Sequence, residues 1–168
     1  MEKRVLGSSG IEVSPVGMGC MGLTHASGDP MDDAAAERVV REAYEMGYTF
    51  FDTAECYVGE RADGSIAHNE DVVGAALAPV RDQVVIATKF GVRHAADRSL
   101  ALDSSPATIR ASVEGSLRRL GTDYTRDIQG KSIDWYNYAG TEVTMTNPTA
   151  DLLQHYKDSM PSLSRLYH

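Results

Sequence analysis

Apolar residues fall into two alternating patterns over the first three quarters of the chain. Short apolar runs suit buried strands, and stripes spaced three and four apart suit one face of a helix. Arg4-Val5-Leu6 and Ile11-Glu12-Val13 flank Gly7-Ser8-Ser9-Gly10, which predicts a β-hairpin over residues 3–16. Val16-Gly17-Met18-Gly19-Cys20 reads as a short buried strand, glycine-rich where something can approach the backbone closely. A helix begins near Asp32 or Asp33, both good N-caps. It carries the stripe Ala36, Val39, Val40 and Ala43 and ends at Gly47, suited to the residue just past a helix. Tyr48-Thr49-Phe50-Phe51 is the next strand, with Asp52 at its C-terminal end, and residues 53–68 form a polar loop that carries Tyr57. Asn69 then caps a helix striped by Val72, Val73, Ala76 and Leu77, which stops before Pro79. Gln83 to Thr88 is nearly continuous in apolar residues, as in a parallel strand covered on both faces, and Lys89 ends it. A third helix starts at Ser104 or Ser105, with Pro106 near its first position, Ile109, Val113, Leu117 and Leu120 as its stripe and Gly121 as its stop.

The order is a hairpin followed by three strand–helix units, which implies an α/β fold with a parallel sheet. Gly17, Gly19 and Gly22 spell G-x-G-x-x-G, yet no helix opens there, so a Rossmann dinucleotide site is not implied. Beyond Tyr124 the pattern changes. Residues 125–168 hold five of the twelve aromatics and one short helical stripe, Leu152, Leu153 and Tyr156, within about 150–159. No run like 84–88 recurs, and Thr146-Asn147-Pro148 and Met160-Pro161 interrupt the segment. The expected division is a patterned unit over 1–124 and a divergent, irregular tail over 125–168, in which Trp135, Tyr136 and Tyr138 cover apolar surface.

Composition narrows the functional classes. With 168 residues, 42% hydrophobic and 24% charged, the chain is long enough for one ordinary globular core. A net charge of −8 argues against nucleic acid or an anionic membrane as partner. It does not exclude a phosphate-bearing cofactor, which needs only a few local donors. No stretch approaches the roughly 20 apolar residues that span a bilayer, and the chain reads as soluble and cytoplasmic. Two cysteines make no disulfide framework. Cys20, Cys56, His25 and His68 are metal-ligand types, but their spacing matches no metal pattern, and packed or loop positions are the expectation. His94, His155 and His168 read as surface residues.

Three residues at the ends of two apolar runs carry candidate chemistry: Asp52, Tyr57 and Lys89. A carboxylate beside a lysine keeps the lysine charged, and a charged lysine beside a phenol stabilises the phenolate. A phenol tuned this way can protonate an oxygen on which negative charge builds. Taken singly, Asp52 could be a loop or cap residue, Tyr57 a loop aromatic and Lys89 a solvent-reaching chain end.

Order and context favour the chemical reading, because the chain resembles the aldo-keto reductase family over 1–124. Arg4 to Gly10 is similar to that family's opening hairpin and Gly17 to Gly22 to its first barrel strand and loop. Phe51-Asp52-Thr53-Ala54-Glu55-Cys56-Tyr57 resembles its active-site signature, Val85 to Phe90 the strand bearing its lysine, and Leu117 to Tyr124 the end of its third helix. The resemblance implies a (β/α)8 TIM barrel that uses NADPH to reduce aldehydes and ketones. Tyr57 is then the proton donor, Lys89 its tuner and Asp52 the partner of Lys89, with Gly19, Cys20, Met21 and Asp52 beside the cofactor. The family's fourth strand, with a histidine that orients the carbonyl, is expected directly after residue 124. Thr125 to Lys131 are neither apolar nor histidine-bearing, Lys131 stands about where the histidine should be, and His155 comes about 24 residues too late. A full barrel needs about 250 residues. The expectation is therefore an incomplete barrel of a hairpin and three βα units followed by a foreign tail, as a frameshift, early stop or rearrangement would leave. The alternative function is a non-catalytic remnant that self-associates through open sheet edges or binds a partner.

Overall fold

The opening hairpin forms as its turn composition predicts: β1 (Arg4–Val5) pairs antiparallel with β2 (Glu12–Val13), and Leu6 N–H donates to the Ile11 carbonyl at 2.8 Å. The computed structural model describes residues 2–7, 10–26, 28–94, 100–103, 105–122, 133–137 and 142–145, with backbone alone for 93, 94, 100, 133–137 and 142–145. The expected strand at 16–20 narrows to β3 (Met18–Gly19), followed by a 3-10 turn over Met21–Leu23. Helix α1 (Asp33–Glu45) starts where Asp32 accepts a hydrogen bond from Ala35 N–H. Ala36, Val40 and Ala43 are buried, whereas Val39 is 37% exposed. At 100° per residue Val39 lies on the rim of that stripe, which explains the difference.

β4 (Phe50–Asp52) runs parallel beside β3, with Met18 opposite Phe51 and Gly19 opposite Asp52. The polar loop expected over 53–68 contains a small antiparallel hairpin instead, β5 (Val58–Glu60) and β6 (Ile66–His68). Its turn is set by Gly64 in the left-handed region (φ 82°) and by Asp63, whose carboxylate accepts from Ser65 N–H. α2 (Asn69–Leu77) follows at once. The N-cap is His68 rather than Asn69, and the Asn69 side chain turns inward.

β7 (Val85–Ala87) adds to β4 in parallel register, Phe51 opposite Ile86 and Asp52 opposite Ala87. After Thr88 the run continues as β8 (Lys89–Phe90). The loop beyond it carries a second hairpin, β9 (Val92–His94) with β10 (Leu100–Leu102). α3 (Pro106–Leu120) has Ser105 as N-cap, its hydroxyl accepting from Thr108 N–H, and Gly121 as its left-handed terminator at φ 61°. Burial concentrates between the strands and these helices, with Phe51, Val40, Val73, Leu77, Val84, Ile86 and Leu120 among the core side chains. α2 and α3 approach so closely at Gly74 that a Cβ there would lie 2.6 Å from the Arg119 carbonyl.

The region after residue 124 departs from expectation. β11 (Ile133–Asn137) lies parallel to β8, with Tyr136 paired to Lys89 and Asn137 to Phe90, and β12 (Glu142–Met145) pairs antiparallel with β11. A fourth parallel strand thus stands beside the third, and the tail covers the sheet edge at β8, one of the two outcomes expected for that side of the sheet, the other being an open edge that self-associates. The strand escaped the pattern because Asp134 and Asn137 interrupt its apolar residues, so that no run like 84–88 forms. It contains no histidine, and Tyr136 holds the position paired with Lys89. Among the described residues the sheets do not close, and no strand pairs with the outer edge of β3. The short helix expected over 150–159 lies outside the described residues, as do Tyr138, His155, His168 and the side chains of His94, Trp135 and Tyr136.

Candidate active site

Strand register brings the three candidate residues together. Asp52 ends β4, Lys89 begins β8, and the loop after β4 returns Tyr57 over them. Lys89 Nζ donates to Asp52 Oδ1 and to the Thr53 carbonyl, both at 2.6 Å. Its ammonium stands 5.0 Å from the centre of the Tyr57 ring. Two of the three ammonium protons are therefore fixed by oxygen acceptors, and the cation lies against the ring face. The pair stays in contact with water: the Lys89 side chain is 25% exposed and that of Asp52 43%. Asp52 at the end of β4, Lys89 just past the end of β7 and Tyr57 in the loop after β4 all lie beyond or at the C-terminal ends of these two parallel strands, the face on which barrels of this type build their sites.

Histidine 25, expected only as a loop residue, stacks on the other partner of the trio. Its ring lies 5.9 Å from that of Tyr57 at an interplanar angle of 15°. Nδ1 is 2.8 Å from the Val58 carbonyl oxygen, so that nitrogen carries the donated proton. The sequence signal was weak, because His25 is more than thirty positions from Tyr57 and reaches it only through the turn after β3.

Asn69 is the second residue that sequence reasoning missed. It is 1% exposed. Its Oδ1 accepts from Thr53 Oγ1 at 2.7 Å, and its Nδ2 donates to the Cys20 carbonyl at 2.8 Å and to Thr24 Oγ1 at 2.9 Å. Thr24 Oγ1 donates in turn to the Tyr57 carbonyl at 3.0 Å, which also receives the Asn69 backbone N–H at 3.0 Å.

Of the residues expected beside a cofactor, Gly19 and Met21 are exposed at the end of β3, next to Asp52. Cys20 is buried, its N–H donating to the Asp52 carbonyl at 2.8 Å and its own carbonyl engaged by Asn69. Cys20 and Cys56 form no disulfide. Among the described residues no group of three or more His, Cys, Asp or Glu is placed to hold a metal ion. No helix among them is long and apolar enough to cross a membrane.

Burial pushes the Cys20 thiol from the usual 9.0 up to about 12, with the Asp52 charge adding and the Lys89 charge opposing. Cys56 is also raised, again chiefly by burial. The unfolded chain thus loses the Cys20 proton first, and stability falls as pH rises above the unfolded value towards the folded one. At about pH 10 the expected loss from this thiol is about 1.4 kcal/mol. Denaturant unfolding of the wild type and Cys20→Val near pH 8 and pH 10 isolates it, since the variant keeps every other side chain. An alkaline loss of equal size in both proteins would show that Cys20 is not its source.

An N-terminal hairpin, parallel strands alternating with helices, and a carboxylate–lysine–phenol group at the strand ends define a barrel-type α/β architecture with a candidate site on the C-terminal face. The chain belongs to the aldo-keto reductase family: the family model described as "Aldo/keto reductase family" matches residues 15–159, past residue 124 and into the tail. The protein named "Probable aldo-keto reductase 1" of Glycine max is 41% identical over 120 residues, covering 71% of this chain and 33% of its own. The structure of an aldo-keto reductase from Bacillus halodurans in its holo form superposes with a TM-score of 0.66 at 33% identity, covering 96% of this chain and 47% of that one. A glycerol dehydrogenase from Gluconobacter oxydans gives a TM-score of 0.55 at 30% identity, over 71% of this chain and 36% of its own. The chain therefore spans between a third and a half of the length of these relatives.

Proposed function

We propose that the chain carries the proton-donating half of an NADPH-dependent carbonyl reductase site, with Tyr57 as donor, Lys89 as the cation that stabilises the phenolate left behind, and Asp52 as the anion that holds Lys89. The observation that carries this reading is the Lys89 ammonium, held by Asp52 and the Thr53 carbonyl and set 5.0 Å from the Tyr57 ring centre. A reduced nicotinamide cofactor, when bound at this face, would supply the hydride for the carbonyl carbon. The Tyr57 O–H supplies the proton to the oxygen, giving an alcohol, and solvent restores the phenol. The exposed end of β3 fits the reduced ring of such a cofactor. Gly19 leaves open space where a side chain would stand, and Met21 and Asp52 flank it. Cys20 would contribute by fixing the backbone of that turn from inside. The site is assigned to small aldehydes and ketones, and the family supports an oxidoreductase.

A second reading has its own observation: the outer edge of β3 has no strand partner among the described residues. An edge of unpaired N–H and C=O groups is a template for association, and a non-catalytic chain would act through that edge. Titration with NADPH, read by the cofactor's fluorescence, separates the two. Saturable binding in the micromolar range is expected. No binding, together with concentration-dependent assembly in sedimentation, would replace the reductase reading by the second.

A further inference from the structure

We infer that Asn69 is a positioning residue that sets the proton donor against its tuning cation. The inference deepens the reading of Tyr57 and Lys89 given above and rests on it for its kinetic consequence. The argument is one of connectivity. Lys89 is held on one side by the Thr53 carbonyl, and Thr53 Oγ1 donates to Asn69 Oδ1. Tyr57 is held through its carbonyl, which receives the Asn69 backbone N–H and the Thr24 hydroxyl, itself fixed by Asn69 Nδ2. The second Nδ2 proton reaches the Cys20 carbonyl at the end of the strand that flanks the proposed cofactor site. One buried amide thus ties together three segments distant in sequence: the turn after β3, the segment after β4, and the return of the loop that bears Tyr57. Both Nδ2 protons and the Oδ1 atom are engaged by those segments, and the side chain does not cap its own helix.

A buried amide used in this way is costly to misplace, because each partner is left without water to replace it. Its effect on chemistry comes through geometry. A displacement of the donor by about 1 Å costs on the order of 100-fold in rate. Binding of the carbonyl, which touches none of these groups, changes far less. A merely structural role would lower stability without moving Tyr57 in the folded protein.

The experiment compares Asn69→Ala, Thr24→Val, Thr24→Ser and Ser14→Ala in the full chain. Ser14 is buried and hydrogen-bonded as Asn69 is, accepting from Thr49 N–H at 2.9 Å, but at the opposite end of β4. Ring resonances of Tyr57, assigned through Tyr57→Phe, and the cross-relaxation between the His25 and Tyr57 rings report position without any turnover. Asn69→Ala and Thr24→Val are expected to shift the Tyr57 signals and to remove the His25 contact. Thr24→Ser, which keeps the hydroxyl, and Ser14→Ala are expected to retain both. In assays with NADPH and an aromatic aldehyde, the first two should lose roughly ten- to a hundredfold in kcat with KM changed by less than about threefold. Should Asn69→Ala fail to fold, the Thr24 pair decides by the same signals. A folded Asn69→Ala or Thr24→Val with unmoved Tyr57 resonances and an intact His25 contact overturns the inference. Absence of turnover in the wild type, with the signals moving as expected, would overturn the reductase reading and leave the positioning standing.

Discussion

Tyr57→Phe is expected to lower NADPH-dependent carbonyl reduction by at least about a hundredfold, the scale on which a positioned proton donor acts. The substitution removes one oxygen. The ring that stacks on His25 and faces Lys89 remains, as do the backbone bonds that hold the loop. Cofactor affinity and stability should therefore change little, and the loss should fall on kcat. Lys89→Met tests the other half of the pair. At an effective dielectric of about 20, charges about 5 Å apart interact by roughly 3 kcal/mol, or about two powers of ten in rate. That figure is an upper bound here, since a quarter of the Lys89 side chain is exposed and its charge is shared with Asp52. The two losses should not add in Lys89→Met/Tyr57→Phe, because a cation has no phenolate to stabilise once the hydroxyl is gone. Initial rates of NADPH oxidation measure all three variants. A Tyr57→Phe protein that reduces the same aldehyde within threefold of the wild-type rate would remove Tyr57 from the chemistry.

Most of the described framework was legible because local signals agreed with the fold. Ser105, Pro106 and Gly121 bounded α3 as their conformational preferences require, and the apolar run through 84–88 marked the strand that leads to Lys89. The trio was legible because short motifs place it at strand ends, and register alone brings those ends together. Among the features that were not legible, three have a clear physical reason. The β5–β6 hairpin has only three residues per strand, too few for an alternation to stand out, although Asp63-Gly64 marked its turn. β11 begins at Ile133, beyond the residues directly after 124 where a fourth strand is expected, and Asp134 and Asn137 interrupt its apolar residues. Asn69 carried a cap signal that its backbone position invited, but a buried amide is decided by partners distant in sequence, Cys20, Thr24 and Thr53. Propensity speaks for the helix end, whereas the tertiary contacts assign the side chain.

Glu70→Ala is expected to cost about 3–5 kcal/mol of stability, the scale for removing one partner of a buried ion pair. Glu70 is 1% exposed, deeper than any other charged side chain among the described residues. Thr88 Oγ1 donates to its Oε1 at 2.6 Å and Arg119 Nε to its Oε2 at 2.7 Å. α2 is thereby joined to the last turn of α3 and to the residue that precedes Lys89. Truncation leaves the Thr88 hydroxyl and the Arg119 Nε without the acceptor they have now. Arg119 already keeps one buried nitrogen, Nη2, without a partner among the described residues. Since whole domains are stable by only about 5–15 kcal/mol, this one change removes a large share. Replacing both residues, as in Glu70→Leu/Arg119→Leu, should recover part of the loss, because no charge is then left uncompensated in the interior. Urea unfolding at neutral pH measures each variant. The single variant should also blunt any activity through the strand that carries Lys89, while Glu70→Gln, which keeps an acceptor for Thr88, should fall between. A loss below about 1 kcal/mol for Glu70→Ala would mean that water reaches the pair and screens it as at a surface, and that α2 and α3 are held by the close packing at Gly74 instead.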